Sequence, residues 1–242
     1  MTFDAQSLMA YILVFCRMGG MVFFNPLLMR KELPALVRIG IAAGLADLAL
    51  VFELTKELFV GIVCGMIFQI YYYLLFFIGD IMDTEFGLSM AKVFDPSTSI
   101  QMSISGGLLQ FVFALYLFAT DSHLLMIRIF ASSYDIVPLG QIFVTEAAAG
   151  FVIDQFMLAF SLVIRLGLPF IAASLVMQVA MGVLMKLIPQ INVFVLNIQM
   201  KIFLGLFMLF LFAGSIGVFV NNYTEKMFEA MSEALYFLRP PG

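Results

Sequence analysis

The chain has 242 residues, of which 63% are hydrophobic and only 12% charged, and its formal net charge is −4. Soluble domains average about 45–50% apolar and about 25% charged, so a water-exposed globule is excluded. A polytopic membrane protein with apolar material for roughly six helices of about 20 residues is expected. Twelve basic residues scattered among sixteen acids leave no patch to bind nucleic acid.

Leu8–Met29 is the first apolar segment, interrupted by Arg17, with Gly19-Gly20 and Asn25-Pro26 towards its end. Its length and its lack of a basic start argue for a first helix rather than a cleavable signal peptide. A basic loop, Arg30 to Arg38, leads into the small-residue-rich Val37–Phe52, which carries Asp47. After the polar patch Glu53–Glu57, Leu58–Gly79 runs 22 residues without a charge and is the clearest span. It contains Tyr71-Tyr72-Tyr73, and with no Trp in the chain tyrosines must supply any interfacial belt.

Asp80–Gly107 breaks the pattern with Asp80, Asp83, Glu85, Lys92 and Asp95, then Pro96-Ser97-Thr98-Ser99, Gln101, Ser103 and Ser105. Its first half suits an amphipathic extension of the preceding helix, and the Pro-Ser-Thr-Ser run is turn and loop chemistry. Leu108–Thr120 and Leu124–Phe130 are apolar again, separated by Asp121-Ser122-His123; Ser132–Gln141, with Pro138 and Gly140, is a second break. Ile142–Met185 is almost wholly apolar over 44 residues, interrupted by Glu146, Asp154 and Arg165. One helix of that length would measure about 66 Å, about twice the hydrocarbon thickness. A continuous or kinked helix is preferred, because Arg165-Leu166-Gly167-Leu168 offers little turn chemistry. Lys186–Lys201 reads as a basic, amide-rich break around Pro189-Gln190-Ile191-Asn192, and Ile202–Val220 as a further span. Asn221–Arg239 reads as an amphipathic helix with Glu225, Glu229 and Glu233 on one face. The Lys and Arg of loops 30–38 and 186–201 place both in the cytoplasm.

No catalytic constellation stands out. Three consecutive residues, Asp121-Ser122-His123, cannot form a nucleophile–base–orienter relay, and Gly106-Gly107 lacks phosphate-loop spacing. One histidine and two cysteines in apolar runs, Cys16 and Cys64, leave a zinc site short of ligands and argue against a disulfide framework. No cofactor is expected. The charges inside apolar runs, Arg17, Asp47, Glu146, Asp154 and Arg165, are expensive there unless paired or wet. Pairing between helices or subunits is favoured over a proton or ion pathway. Asp154 and Arg165 share a helix face but lie about 16 Å apart along it, so each needs a partner elsewhere. The 18 methionines suit adaptable surfaces but decide nothing alone.

An ordered set of fragments spans nearly the whole chain. Phe15, Arg17, Gly19-Gly20, Pro26, Pro34 and Val37-Arg38-Ile39 come first; Gly79-Asp80, Gly87, Phe94-Asp95-Pro96, Leu115, Leu117-Phe118, His123, Ser133 and Pro138 follow. Leu168-Pro169, Gly182, Pro189-Gln190-Ile191-Asn192-Val193-Phe194 and Lys201-Ile202 complete it. In this order the chain resembles the FliR/SctT family of type III export-gate proteins. It departs at Ser122, where members often have glycine, and at Met200, where proline is common.

The resemblance implies an all-α polytopic membrane protein of about six long hydrophobic helices. A FliP-like portion over 1–166 would precede a FliQ-like helical hairpin over 167–242, with its tip at 186–201 and an amphipathic last helix. One copy would join FliP and FliQ homologues in a helical cone, with FlhB, FlhA and the basal-body MS ring as neighbours. It would be non-enzymatic, lie in the bacterial inner membrane in contact with lipid, and pass unfolded secreted proteins. The polar loop 95–105 would be a pore plug, with Asp95, Pro96, Ser97, Thr98, Ser99, Ile100, Gln101 and Met102 as its candidate residues. Lys186, Pro189, Gln190 and Asn192 would form a constriction at the hairpin tip. Arg17, Asp47, Asp80, Glu146, Asp154 and Arg165 would serve assembly as buried charges. The equivalent subunit of a virulence-type system is the neighbouring alternative. A coupled ion transporter using the intramembrane Asp, Glu and Arg is the alternative from a different class.

Overall fold

A computed structural model of the chain describes residues 12–17, 19–20, 48–89, 103–139, 141–142, 146–188 and 193–239. Helix is the only regular structure among them, as expected where lipid or apolar protein offers the backbone no other partners. The helices are α1 (Leu48–Glu85), α2 (Ile104–Ala119), α3 (Ser122–Ile136), α4 (Glu146–Leu187) and α5 (Val193–Phe237), after a helical segment at residues 12–17 and 19–20.

Helix α1 extends past both ends of the uncharged Leu58–Gly79 run. Neither the Glu53–Glu57 patch nor Asp80–Glu85 contains a helix breaker, and the two acids that become buried, Glu57 and Asp83, find partners described below. The helix stops at Gly87, whose φ of +72° lies in the left-handed region that glycine alone adopts freely. Asp121 takes the same region with φ 56°, which aspartate tolerates better than most residues, and α2 and α3 bend there by 76°. Helix α3 outlasts its apolar stretch and ends only before Pro138, so the expected break at Ser132–Gln141 starts later than composition suggests.

From Glu146 onward the 44-residue apolar run is one helix, α4, which continues to Leu187 over 42 residues with Pro169 inside it. Helix α5 has 45 residues and absorbs both the second half of the Lys186–Lys201 stretch and the tail drawn as a separate helix. No Gly or Pro stands between Val193 and Lys201, and Asn221-Asn222 alone does not stop a helix whose next turns are apolar on one face. Among the described residues three helices are long and apolar enough to cross a membrane, four if the bent α2–α3 pair counts as one span. Of the roughly six expected, Leu8–Met29 and Val37–Phe52 lie largely outside the described residues.

The chain forms two compact units, and the long helices contribute to both. The first holds the start of α1 up to Tyr72, residues 117–158 and the end of α5 from Glu225. Its packing includes Leu13, Cys16 and Leu54 with Ile12 and Leu139 against them, and the Phe151–Phe237 ring pair at 4.7 Å. At this end of α5 Met227, Phe228, Met231 and Leu235 are buried, whereas Glu225, Glu229 and Glu233 are exposed. The second unit holds residues 73–116 and 159–224. Its aromatic packing runs from Phe86 through Phe170 to Phe212, with centroids 6.0 and 5.3 Å apart.

Candidate functional site

In the second unit a polar junction joins the end of α1 to the start of α2. The first turn of a helix leaves four N–H groups without intrahelical acceptors. Here side chains satisfy three of them, on Ile104, Ser105 and Gly106. Ile104 N donates to Asp83 Oδ2 at 2.6 Å, and Ser105 N donates to both carboxylate oxygens at 3.1 and 3.2 Å. Gly106 N donates to Ser103 Oγ at 2.9 Å, and Gly107 N to the Ser103 carbonyl at 2.9 Å. Ser103 Oγ in turn donates to Asp83 Oδ2 at 2.7 Å. Ser103 is thus the ordinary N-cap, and Asp83, twenty residues earlier, brings a negative charge to the positive end of the α2 dipole. Asp83, Ser103 and Ser105 are all buried.

Geometry one turn back permits this. Gly79 stands four residues before Asp83, on the same face of α1. A Cβ on Gly79 would collide with the backbone of Ser105 and Gly106, and one on Gly106 would fall 2.8 Å from the Phe76 carbonyl. Two glycines let the helices meet backbone to backbone, the close approach that small residues allow in apolar packing. Next to the junction Ser174 Oγ donates to Glu85 Oε2 at 2.7 Å, tying α4 to the last turn of α1.

The first unit holds a second polar knot. Arg17 is fully buried; its Nε donates to Glu57 Oε2 at 2.6 Å, and both side chains are shielded from solvent. Arg17 Nη1 donates to the carbonyls of Ser133 and Val137, both at 3.0 Å, and the guanidinium lies 4.6 Å from the Tyr134 ring centre. One guanidinium therefore pairs with α1 and caps the C-terminus of α3, where a cation is favoured. Arg17 Nη2 is buried with no hydrogen-bond partner among the described residues.

Other residues singled out from the sequence are dispersed. Asp80 is half-buried on α1; Asp154 and Arg165 are exposed on α4, and Lys186 is exposed in its last turn. Glu146 opens α4, but its side chain lies outside the described residues, as do Asp47, the loop Asp95 to Met102, and Pro189, Gln190 and Asn192 at the tip. Ser103 and Ser105, expected at the end of the polar loop, belong instead to the capped start of α2. Glu57 and Asp83 are the residues that sequence reasoning missed as site members. The signals were present: a buried Arg17 demands an acid, and a Ser before a Gly-rich helix start demands acceptors. Neither signal identifies a partner 40 or 20 residues away.

His123 faces the α2–α3 bend, with its ring 5.4 Å from Phe118 and Nδ1 3.3 Å from the Leu117 carbonyl oxygen. Among the described residues no group of three or more His, Cys, Asp or Glu side chains could hold a metal ion. Cys16 and Cys64 are buried free thiols.

Residues 8–227 match the family described as Bacterial export proteins, family 1. The chain is similar to Flagellar biosynthetic protein FliR of Bacillus subtilis, 27% identical with 93% of this chain and 94% of that protein covered. FliR of Caulobacter vibrioides is likewise 27% identical, with 92% and 97% covered. Surface presentation of antigens protein SpaR of Shigella flexneri is 23% identical, with 84% of each chain covered. With nine-tenths of its length matched and its long apolar helices in place, the chain belongs to family 1 of the bacterial export proteins, the FliR/SpaR family, as a non-enzymatic multi-pass protein of the inner membrane.

Proposed function

We propose that the chain is a pore and gate subunit of a flagellar type III export apparatus, forming with FliP and FliQ homologues the channel entrance for unfolded export substrates. Residues 1–166 act as the FliP-like portion and 167–242 as the FliQ-like hairpin of a helical cone. The loop around Asp95–Met102 acts as its plug, and the hairpin tip around Lys186, Pro189, Gln190 and Asn192 as a constriction. FlhB, FlhA and the MS ring are the further neighbours in this reading.

The observation that carries the assembly is the extent of uncovered apolar surface. On α4 large apolar side chains stand exposed from Ile153 to Leu187. At 1.5 Å per residue that is about 51 Å of helix, against a hydrocarbon core of about 30 Å. Lipid alone does not cover such a length, whereas helices of sibling subunits do. Asp154 and Arg165, exposed on the same helix, gain their partners in the same way.

Flagellar export is favoured over a virulence-type system by the FliR likenesses at 27% over more than nine-tenths of the chain, against 23% over 84% for SpaR. Purification of the tagged chain in mild detergent tests the proposal. Recovery of FliP and FliQ homologues in stoichiometric amounts supports it, and a clean monomer under conditions that keep related complexes intact contradicts it.

A further inference from the structure

We propose that the second unit holds a binding site for a small monovalent cation of the sodium class, where the last turn of α1 meets α4. Its ligands are the Glu85 carboxylate and carbonyl oxygen, the Ser174 hydroxyl and the Gln178 side-chain amide. The site goes beyond the proposed role in export and does not depend on it.

Glu85 is short of positive charge. It lies in the last turn of α1, at the negative end of the helix dipole, and that turn contains no basic residue. Among the described residues no Lys or Arg pairs with it, and its hydrogen-bond donors are Ser174 and Gln178. Ser174 Oγ has one proton for two acceptors, Glu85 Oε2 at 2.7 Å and the Glu85 carbonyl oxygen at 3.2 Å. Gln178 Nε2 stands 3.4 Å from Oε2. One hydroxyl and one distant amide thus serve three acceptor oxygens and a full negative charge. Asp83, two residues earlier, is the contrast: it faces the positive end of α2 and receives the Ser103 hydroxyl and two N–H groups.

The geometry suits an ion. Ser174 is fully buried and Glu85 half-buried, beside the Phe86–Phe170 ring pair, so little water competes and the field of the carboxylate is weakly screened. Gln178 Nε2 also lies 3.2 Å from Ser174 Oγ; its side chain is exposed, and turning the amide over puts Oε1 where Nε2 stands. The ligand positions are then 2.7–3.4 Å from one another. An ion that contacts oxygen at about 2.3–2.6 Å spaces neighbouring ligands by about 3.3–3.7 Å, so a few tenths of an ångström of expansion admit it. Divalent ions of that size gather several carboxylates. One carboxylate matches one charge, and sodium combines that charge with that size. A buried hydroxyl oxygen is also within reach of a bare ion but poorly placed for a side chain arriving from another helix. Bound there, the ion ties α4 to the last turn of α1 within the second unit.

The purified full chain in detergent is melted in sodium chloride and in choline chloride of equal concentration at fixed pH, and binding of radioactive sodium is measured on the same sample. A ligand at about ten times its dissociation constant raises the melting of a chain this long by about 3–6 °C, and sodium is expected to do so saturably. Glu85→Gln and Ser174→Ala are each expected to abolish the shift and to weaken sodium binding about tenfold or more. The exposed Glu229→Gln should keep both. Absence of bound sodium overturns the site, and so does melting that follows pH but not sodium, which makes the proton the ligand. A sodium response that survives both Glu85→Gln and Ser174→Ala places the ion elsewhere and also overturns it. Where Glu85→Gln does not accumulate, Ser174→Ala and Gln178→Leu are read by the same criteria.

Discussion

Helices α1 and α4 have apolar windows of the same mean hydropathy, 2.0, and that of α5 reaches 2.5, yet α1 lives among different neighbours from the other two. Within its apolar window α1 is 56% buried in the chain itself, α4 only 28% and α5 only 17%. Their charges differ in the same sense. Glu57 and Asp83 on α1 are buried against Arg17 and the α2 cap, whereas Asp154 and Arg165 on α4 stand exposed among exposed leucines and valines. Hydropathy says that a helix avoids water; the fate of its charges says who its neighbours are. A helix whose charges are satisfied within the chain is central to that chain. In the proposed assembly, one whose charges are not satisfied there is completed by other subunits.

The comparison breaks most severely at Arg17. Arg17→Ala leaves Glu57 buried without its cation and strips two carbonyls at the end of α3, so a loss of about 3–5 kcal/mol is expected. Thermal unfolding in detergent and resistance to protease measure it. Methionine at both positions 17 and 57 should regain most of that loss, since an apolar pair leaves no orphan charge. No recovery would mean that Arg17 acts through groups other than Glu57.

Arg165→Glu probes the opposite class. It should leave the melting of the isolated chain within about 0.5 kcal/mol of wild type. Recovery of co-purified FliP and FliQ homologues should fall about tenfold, the scale of one lost charged contact at an interface. Melting that drops while recovery stays normal would place the partner of Arg165 inside the chain and contradict the contrast between α1 and α4.

Gly79→Ala tests the close approach on α1. The added methyl meets backbone rather than a yielding side chain, so about 1–3 kcal/mol of destabilisation is expected, read by melting. The smallest effect belongs to the exposed Lys226–Glu229 pair, 2.6 Å apart on the outer face of α5. Glu229→Gln should leave both melting and assembly indistinguishable from wild type.

What could be read in the sequence follows from how local each cause is. The break at Asp121-Ser122-His123 and the continuity of the long apolar run from Glu146 to Met185 depend on residues next to one another, and they stand in the structure. Helix ends were harder. Glu53–Glu57 and Asp80–Glu85 look like places to leave an apolar helix, yet α1 runs through both because tertiary partners neutralise Glu57 and cap through Asp83. The same holds for Asn221, where α5 continues and the Asn221 side chain accepts a hydrogen bond from Tyr116. Arg17 signalled that it needed a partner; only the fold could supply Glu57. The polar loop and the hairpin tip, expected from their Pro, Ser and Asn residues, fall largely outside the described residues, and the roles proposed for them rest on family likeness and not on chemistry that local sequence encodes.

The central claim is that the apolar faces of α4 and α5 are covered by protein chains rather than by lipid. A photocrosslinking amino acid in place of Phe210, 83% exposed on α5, tests it most directly in intact membranes. Adducts to FliP or FliQ homologues, identified by mass, are the predicted result. Adducts to lipid alone, with the export apparatus assembled, would contradict it.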